Sequence, residues 1–112
     1  MATQVYKRLG AIASTGTIGT GDTLYTVPAA TATVVSTISI CNTATAAATY
    51  RISVSTTTSF VAAGYLVYDA TVAANETVFI TVGATLDATN KYLLCSASAS
   101  TVSFSAFGSE IS

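Results

Sequence analysis

Histidine and tryptophan are absent from this chain, and proline occurs once. Charge is nearly as scarce. Four Lys+Arg and five Asp+Glu make up 8% of the 112 residues and leave a net charge of -1, where soluble chains carry about 25%. Each gap removes a class of function. Without histidine, the commonest general base and the commonest metal ligand are missing. Without a basic patch there is no footprint for phosphate, so nucleic acid is not an expected partner. Disorder needs low hydrophobicity and high charge, and 51% hydrophobic residues argue against it. No apolar run approaches the ~18 residues of a membrane-spanning helix. After Lys7 and Arg8 only Leu9-Gly-Ala-Ile-Ala-Ser14 follows, too short for a secretory apolar region. The expectation is a soluble protein made in a cytoplasm, with no membrane partner. Cys41 and Cys95 allow at most one disulfide; both lie in apolar strand-like runs, which favours buried free thiols and leaves a bridge open if the strands are neighbours.

Small hydroxyl residues stand where the charges are missing: 21 threonines and 13 serines, with 20 alanines beside them. The pattern has period two almost throughout, which predicts strands. Val34, Ser36, Ile38 and Ile40 alternate with Val35, Thr37, Ser39 and Cys41; Tyr50, Ile52 and Val54 alternate with Arg51, Ser53 and Ser55. Further runs cover Tyr65–Tyr68, Glu76–Val82 (with Thr77, Phe79 and Thr81 on one face), Lys91–Ser96, and Val102-Phe104-Ala106. Tyr6–Ala13 and Leu24–Val27 precede these, and Pro28 punctuates two strands. The small residues of Asn42–Ala48 predict a hairpin between their flanking strands. The fold class expected is all-β, a single antiparallel β-sandwich or jelly-roll-like domain of about 7–8 short strands. Residues 1–13 read as an N-terminal arm or first strand, 14–22 as a flexible Gly/Thr loop, and 23–112 as the sandwich body. Thr31-Ala-Thr33, Thr43-Ala-Thr45 and Ser55-Thr-Thr57 recur at a fixed spacing, but the residues between them do not repeat, so no solenoid is expected.

Candidates for chemistry are few. Gly16, Gly19 and Gly21 share a loop, but no Gly-Lys-Ser/Thr follows and no helix begins there, so no phosphate cradle is read. Asn75-Glu-Thr77 matches a glycosylation acceptor and reads as a turn. Asp22, Asp69, Glu76, Asp87 and Glu110 are scattered over five segments, and Asp22, Asp69 and Asp87 sit where turns are expected, so solvated residues are read rather than an acid–base pair or Ca²⁺ site. A Ser or Thr nucleophile would have to rely on Lys7 or Lys91. No catalytic residue, metal ligand or cofactor is predicted, and the protein is not expected to be an enzyme. Tyr65, Tyr68 and Asp69, near Phe60, are the candidate contact group, one tyrosine facing in and the other out. An exposed tyrosine beside a carboxylate suits a partner surface or a host glycan. Phe104 and Phe107 should fall on opposite faces of the last strand.

Leu24-Tyr-Thr-Val-Pro-Ala-Ala-Thr-Ala-Thr-Val-Val-Ser-Thr-Ile-Ser-Ile-Cys-Asn42 resembles small virion structural proteins of tailed phages, especially those of cyanobacteria and marine bacteria. Tyr50-Arg-Ile-Ser-Val54, Tyr68-Asp69 through Ala74-Asn-Glu-Thr77, and Phe104-Ser-Ala-Phe-Gly-Ser-Glu-Ile111 continue the likeness in order. Ser55–Ala63 departs from it in being short where a longer loop is expected. The resemblance implies a β-sandwich on the virion exterior, similar to capsid decoration (cement) proteins or to tail, neck and fibre-base accessories. It implies the major capsid protein or other virion proteins as partners, and a homo-oligomer, a trimer foremost. The N-terminal arm, with Val5, Tyr6, Lys7 and Arg8, holds half the positive charge and is the expected clamp on a neighbour.

Overall fold

Alternation along the chain becomes eight strands in a computed structural model that describes residues 3–19 and 21–112. Met1 and Ala2 of the expected arm, and Thr20 of the glycine-rich connection, lie outside the described residues. The strands are β1 Gln4–Ala13, β2 Asp22–Thr26, β3 Ala32–Asn42, β4 Ala48–Ser55, β5 Tyr65–Val72, β6 Thr77–Leu86, β7 Tyr92–Ala97 and β8 Val102–Ile111. A 3₁₀ turn, Ala62–Gly64, leads into β5. The first sheet has the order β1-β8-β3-β6 and the second β2-β7-β4-β5, with every pairing antiparallel. Two such sheets with interleaved strands make an eight-stranded jelly roll.

Only β4 and β5 are both consecutive and paired. The hairpin expected between β3 and β4 is absent, because β3 lies in the first sheet and β4 in the second. The small residues after Asn42 carry the chain across instead. Asn42 is buried and holds that crossing: its amide donates to the Ala46 carbonyl at 2.9 Å, and its oxygen accepts from the Ala44 N–H at 3.1 Å.

Between the sheets lies one apolar core containing Val35, Ile38, Ile40, Ile52, Leu93, Val102 and Phe104, all fully buried. The Phe104 ring meets Tyr50 edge-on with centroids 6.3 Å apart. Truncating so large a buried ring costs about 3–5 kcal/mol in comparable cores. The inward face of β3 changes part-way along the strand. Val35 and Ile38 are both buried because the pairing slips between Val35 and Thr37, and this bulge exchanges the two faces. Phe104 points in and Phe107 out, as the alternation predicts.

Glycines mark close approaches of backbone, Gly10 and Gly108 among them. A Cβ on Gly10 would overlap the Leu24 carbonyl oxygen, where β2 passes over β1. One on Gly108 would overlap the Val34 carbonyl oxygen of the neighbouring strand.

Cys41 and Cys95 are free and lie in different sheets. Cys95 is buried as expected, whereas Cys41 is only half-buried. Burial, and then the charge of Asp22, push the Cys95 thiol well above its ordinary range.

Candidate functional site

The two outer faces of the jelly roll differ. Over the second sheet, the connection between β1 and β2 folds back as a cover. Ser96 Oγ donates to the Ile18 carbonyl at 2.7 Å, Ser14 Oγ accepts from the Ala97 N–H at 3.2 Å, and Asp22 accepts from the Thr15 N–H at 3.2 Å. Phe60 and Leu94 both pack near Gly21. Leu94, Ser53 and Ser96 are thereby fully buried although they lie outside the central core. The stretch read as a flexible loop is tied to the sandwich at these points.

Among the described residues the first sheet has no such cover. Its register sets the outer side chains in rows across the four strands. Ala13, Ser103, Cys41 and Thr77 form one row; Ala11, Ser105, Ser39 and Phe79 the next; Arg8, Phe107, Thr37 and Thr81 a third. Every member is half-buried or exposed, and Phe79 is 69% exposed. Arg8 is the only charged residue in these rows. Short hydroxyl and methyl groups lose less entropy on ordering than Lys or Glu, which lose about 1.5–2 kcal/mol each, so this face suits close contact with another protein.

Of the predicted contact residues, Val5, Tyr6, Lys7 and Arg8 lie on β1 at the edge of that sheet. Of the two readings of residues 1–13, arm or first strand, β1 is a strand of this sandwich, paired from Gln4↔Ile111 to Ala13↔Ser103. Val5 and Tyr6 are exposed, the latter with its hydroxyl 2.8 Å from Ser36 Oγ. Lys7 forms an ion pair with Glu110 at 3.0 Å.

Tyr65, Tyr68 and Asp69 come together elsewhere, on β5 at the far edge of the second sheet. Pairing with β4 slips twice, between Tyr50 and Ile52 and between Ile52 and Ser53. Those bulges place both tyrosines on the outside, edge to face at 4.9 Å, in place of the expected in–out pair. Arg51, which the sequence did not single out, binds the cluster. Its Nε donates to Asp69 Oδ1 at 2.6 Å, and its Nη2 donates to Asp69 Oδ2 at 3.2 Å and to the Tyr68 hydroxyl at 3.1 Å. Its guanidinium stacks 4.2 Å above the Tyr68 ring. The Asp69 carboxyl is held below its ordinary range by these hydrogen bonds. With both Asp69 oxygens accepting from Arg51, the cluster clasps β4 to β5.

At the flank between β5 and β6 a groove of about 520 Å³ is lined by Val54, Val61, Leu66, Ala84, Thr85 and Asn90 among others, with no charged side chain. No group of three His, Cys, Asp or Glu converges among the described residues. No helix there is long and apolar enough to cross a membrane.

The fold is shared with virus particles. The structures of infectious bursal disease virus, Gx and Gt strains, match with TM-scores of 0.52 and 0.51 at 11% identity. Both matches cover 98% of this chain and 31% of the other, so the jelly roll spans about a third of those chains' length. At that identity the likeness shows the fold. The virus is of a different type from the tailed phages expected above, so the likeness to virus structures does not extend to that type. No family model and no curated protein sequence matches the chain.

The sequence reading missed Phe79, Phe107, Thr37 and Ser105 as surface residues of interest. Period two marks them as sharing faces, but only the pairing register sets them side by side.

Proposed function

We propose that this protein is a non-enzymatic virion structural protein, a capsid decoration (cement) protein that bridges neighbouring subunits on the outside of the shell. The observation that carries this reading is the uncovered, nearly uncharged outer face of the first sheet, with Tyr6 and Arg8 at its β1 edge. The jelly roll shared with virus particles supports it. Its partner is the major capsid protein. The mechanism is mass action: binding only the assembled lattice stabilises that lattice by about 2.7 kcal/mol at a hundredfold excess over Kd. Several contacts per molecule raise occupancy without further chemistry.

The test is rebinding. Particles stripped of this protein are incubated with the purified chain and sedimented, and copies per particle are counted. The reading expects occupancy that follows the number of shell subunits. It also expects Ser105→Arg, which places a charge at the centre of the bare face, to abolish rebinding while the circular dichroism spectrum is retained. Occupancy confined to one vertex or to tails would instead place the protein as a tail, neck or fibre-base adaptor. Full rebinding of the Ser105→Arg chain would remove this face from the interface.

A further inference from the structure

A sheet edge offers unpaired N–H and C=O groups to any other strand, and proteins blunt such edges with charges, bulges, prolines or short strands. The four outer strands here are β1, β6, β2 and β5. Three are blunted. β1 carries Lys7 and Arg8 and a register break before Gly10; β2 is five residues long with a break after Thr23; β5 has two breaks and Asp69 in the left-handed region at φ 52°. β6 differs. From Thr77 to Thr81 it pairs with β3 without interruption, and this segment holds no charge and no proline; its bulge comes later, at Gly83.

The segment is Thr77-Val-Phe-Ile-Thr81, which reads nearly the same in both directions. We propose that β6 pairs with β6 of a second copy of this chain, antiparallel, about a two-fold axis through Phe79. In that register Thr77 faces Thr81 of the partner subunit, Val78 faces the partner's Ile80, and Phe79 faces the partner's Phe79. Threonine–threonine, β-branched and aromatic pairs are the combinations that stabilise neighbouring strands. The backbone is suited to it. The Asn42 N–H donates to the Glu76 carbonyl at 2.9 Å, so Glu76 points toward β3. By alternation Val78 and Ile80 also point toward β3, leaving the N–H and C=O of Thr77, Phe79 and Thr81 on the free edge. A Phe79-centred pairing satisfies all of these groups. An isologous contact of this kind closes at two copies. It joins the two bare faces into one continuous sheet, and it stands on the β6 edge alone, independent of any partner on a shell. It differs from the trimer implied by the sequence resemblance, and the measured mass separates the two.

The experiment is sedimentation equilibrium on the full chain from about 10 µM to about 1 mM, the range that detects Kd values up to the millimolar. The wild type is expected to reach twice its 11.3 kDa chain mass. Phe79→Lys, which sets like charges face to face at an exposed position, is expected to weaken association at least about tenfold with an unchanged circular dichroism spectrum. Cross-linking fixes the register, because Cα atoms about 5.5 Å apart fall within disulfide range. In a Cys41→Ser background, Phe79→Cys should cross-link to itself. Thr77→Cys and Thr81→Cys should link only when mixed with each other. A monomer throughout the concentration range, a trimer mass, undiminished association of Phe79→Lys, or self-linking of Thr77→Cys as readily as Phe79→Cys would each overturn the proposal.

Discussion

The phenol of Tyr25 on β2 hydrogen-bonds the carboxylate of Glu110 on β8, so one side chain of the second sheet is tied to the first at this end of the sandwich. The same hydroxyl lies 2.9 Å from Thr33 Oγ1, and Lys7 holds the other oxygen of Glu110 at 3.0 Å. Tyr25→Phe keeps the ring and deletes these bonds, leaving buried Thr33 without that partner. The expected loss is about 1–3 kcal/mol, read as a lower urea midpoint with an unchanged slope.

The same pair sets a pH window. Burial, and then the bond to Glu110, push the Tyr25 phenol from 10 up to about 12. The bond to Tyr25, and then that to Lys7, hold Glu110 below its ordinary range. The neutral phenol therefore stabilises the fold fully below pH 10, and this contribution fades as pH climbs toward 12. The ionised Glu110 stabilises above the ordinary carboxylate range, and its contribution fades as pH falls through the depressed value. Tyr25→Phe should flatten the alkaline limb of a stability–pH curve measured by urea unfolding; an unchanged alkaline limb would refute this assignment.

Backbone strain can be relieved at Ala30. It sits at φ 56° in the exposed turn after Pro28, a conformation that alanine adopts at a cost of about 1–2 kcal/mol and glycine adopts freely. Ala30→Gly should raise stability by about 0.5–1 kcal/mol after the added flexibility of the unfolded chain is subtracted. A lower thermal midpoint would contradict this.

Gly108→Ala should do the reverse, costing more than about 3 kcal/mol or preventing folding, because its methyl group meets the Val34 carbonyl oxygen rather than a flexible side chain. Gly19→Ala is the control. Apart from its chain neighbours, no described residue lies within 4 Å of a Cβ there, and the substitution should leave the unfolding midpoint unchanged.

The two thiols should separate under a thiol reagent. Half-buried Cys41, on the bare face, is expected to react in the native protein, while Cys95 waits for unfolding. Mass spectrometry after limited maleimide labelling reads the order, and equal rates would show that the core opens freely.

How far the sequence carried the fold can be judged at particular residues. Period two and Pro28 located the strands because they follow from local sterics and from which side chains avoid water. Pairing partners are non-local, and the small residues after Asn42 fit a hairpin or a crossing between sheets equally well. Bulges were invisible too: one near Ser36 exchanged the faces of β3, and those in β5 turned Tyr65 and Tyr68 outward together. Of the surface, the scarcity of charge was legible. The side that stays bare was not, because it depends on where Phe60 and the connection before β2 come to rest.

The pairing of Gln4 with Ile111 has a consequence in time. β8 lies between β1 and β3, so the first sheet cannot close until β8 has been made. A nascent chain that already contains β1 to β7 still lacks the strand that joins half of its core. Until then β1 and one edge of β3 have no partner in that sheet, and such open strand edges are exposed to wrong pairings.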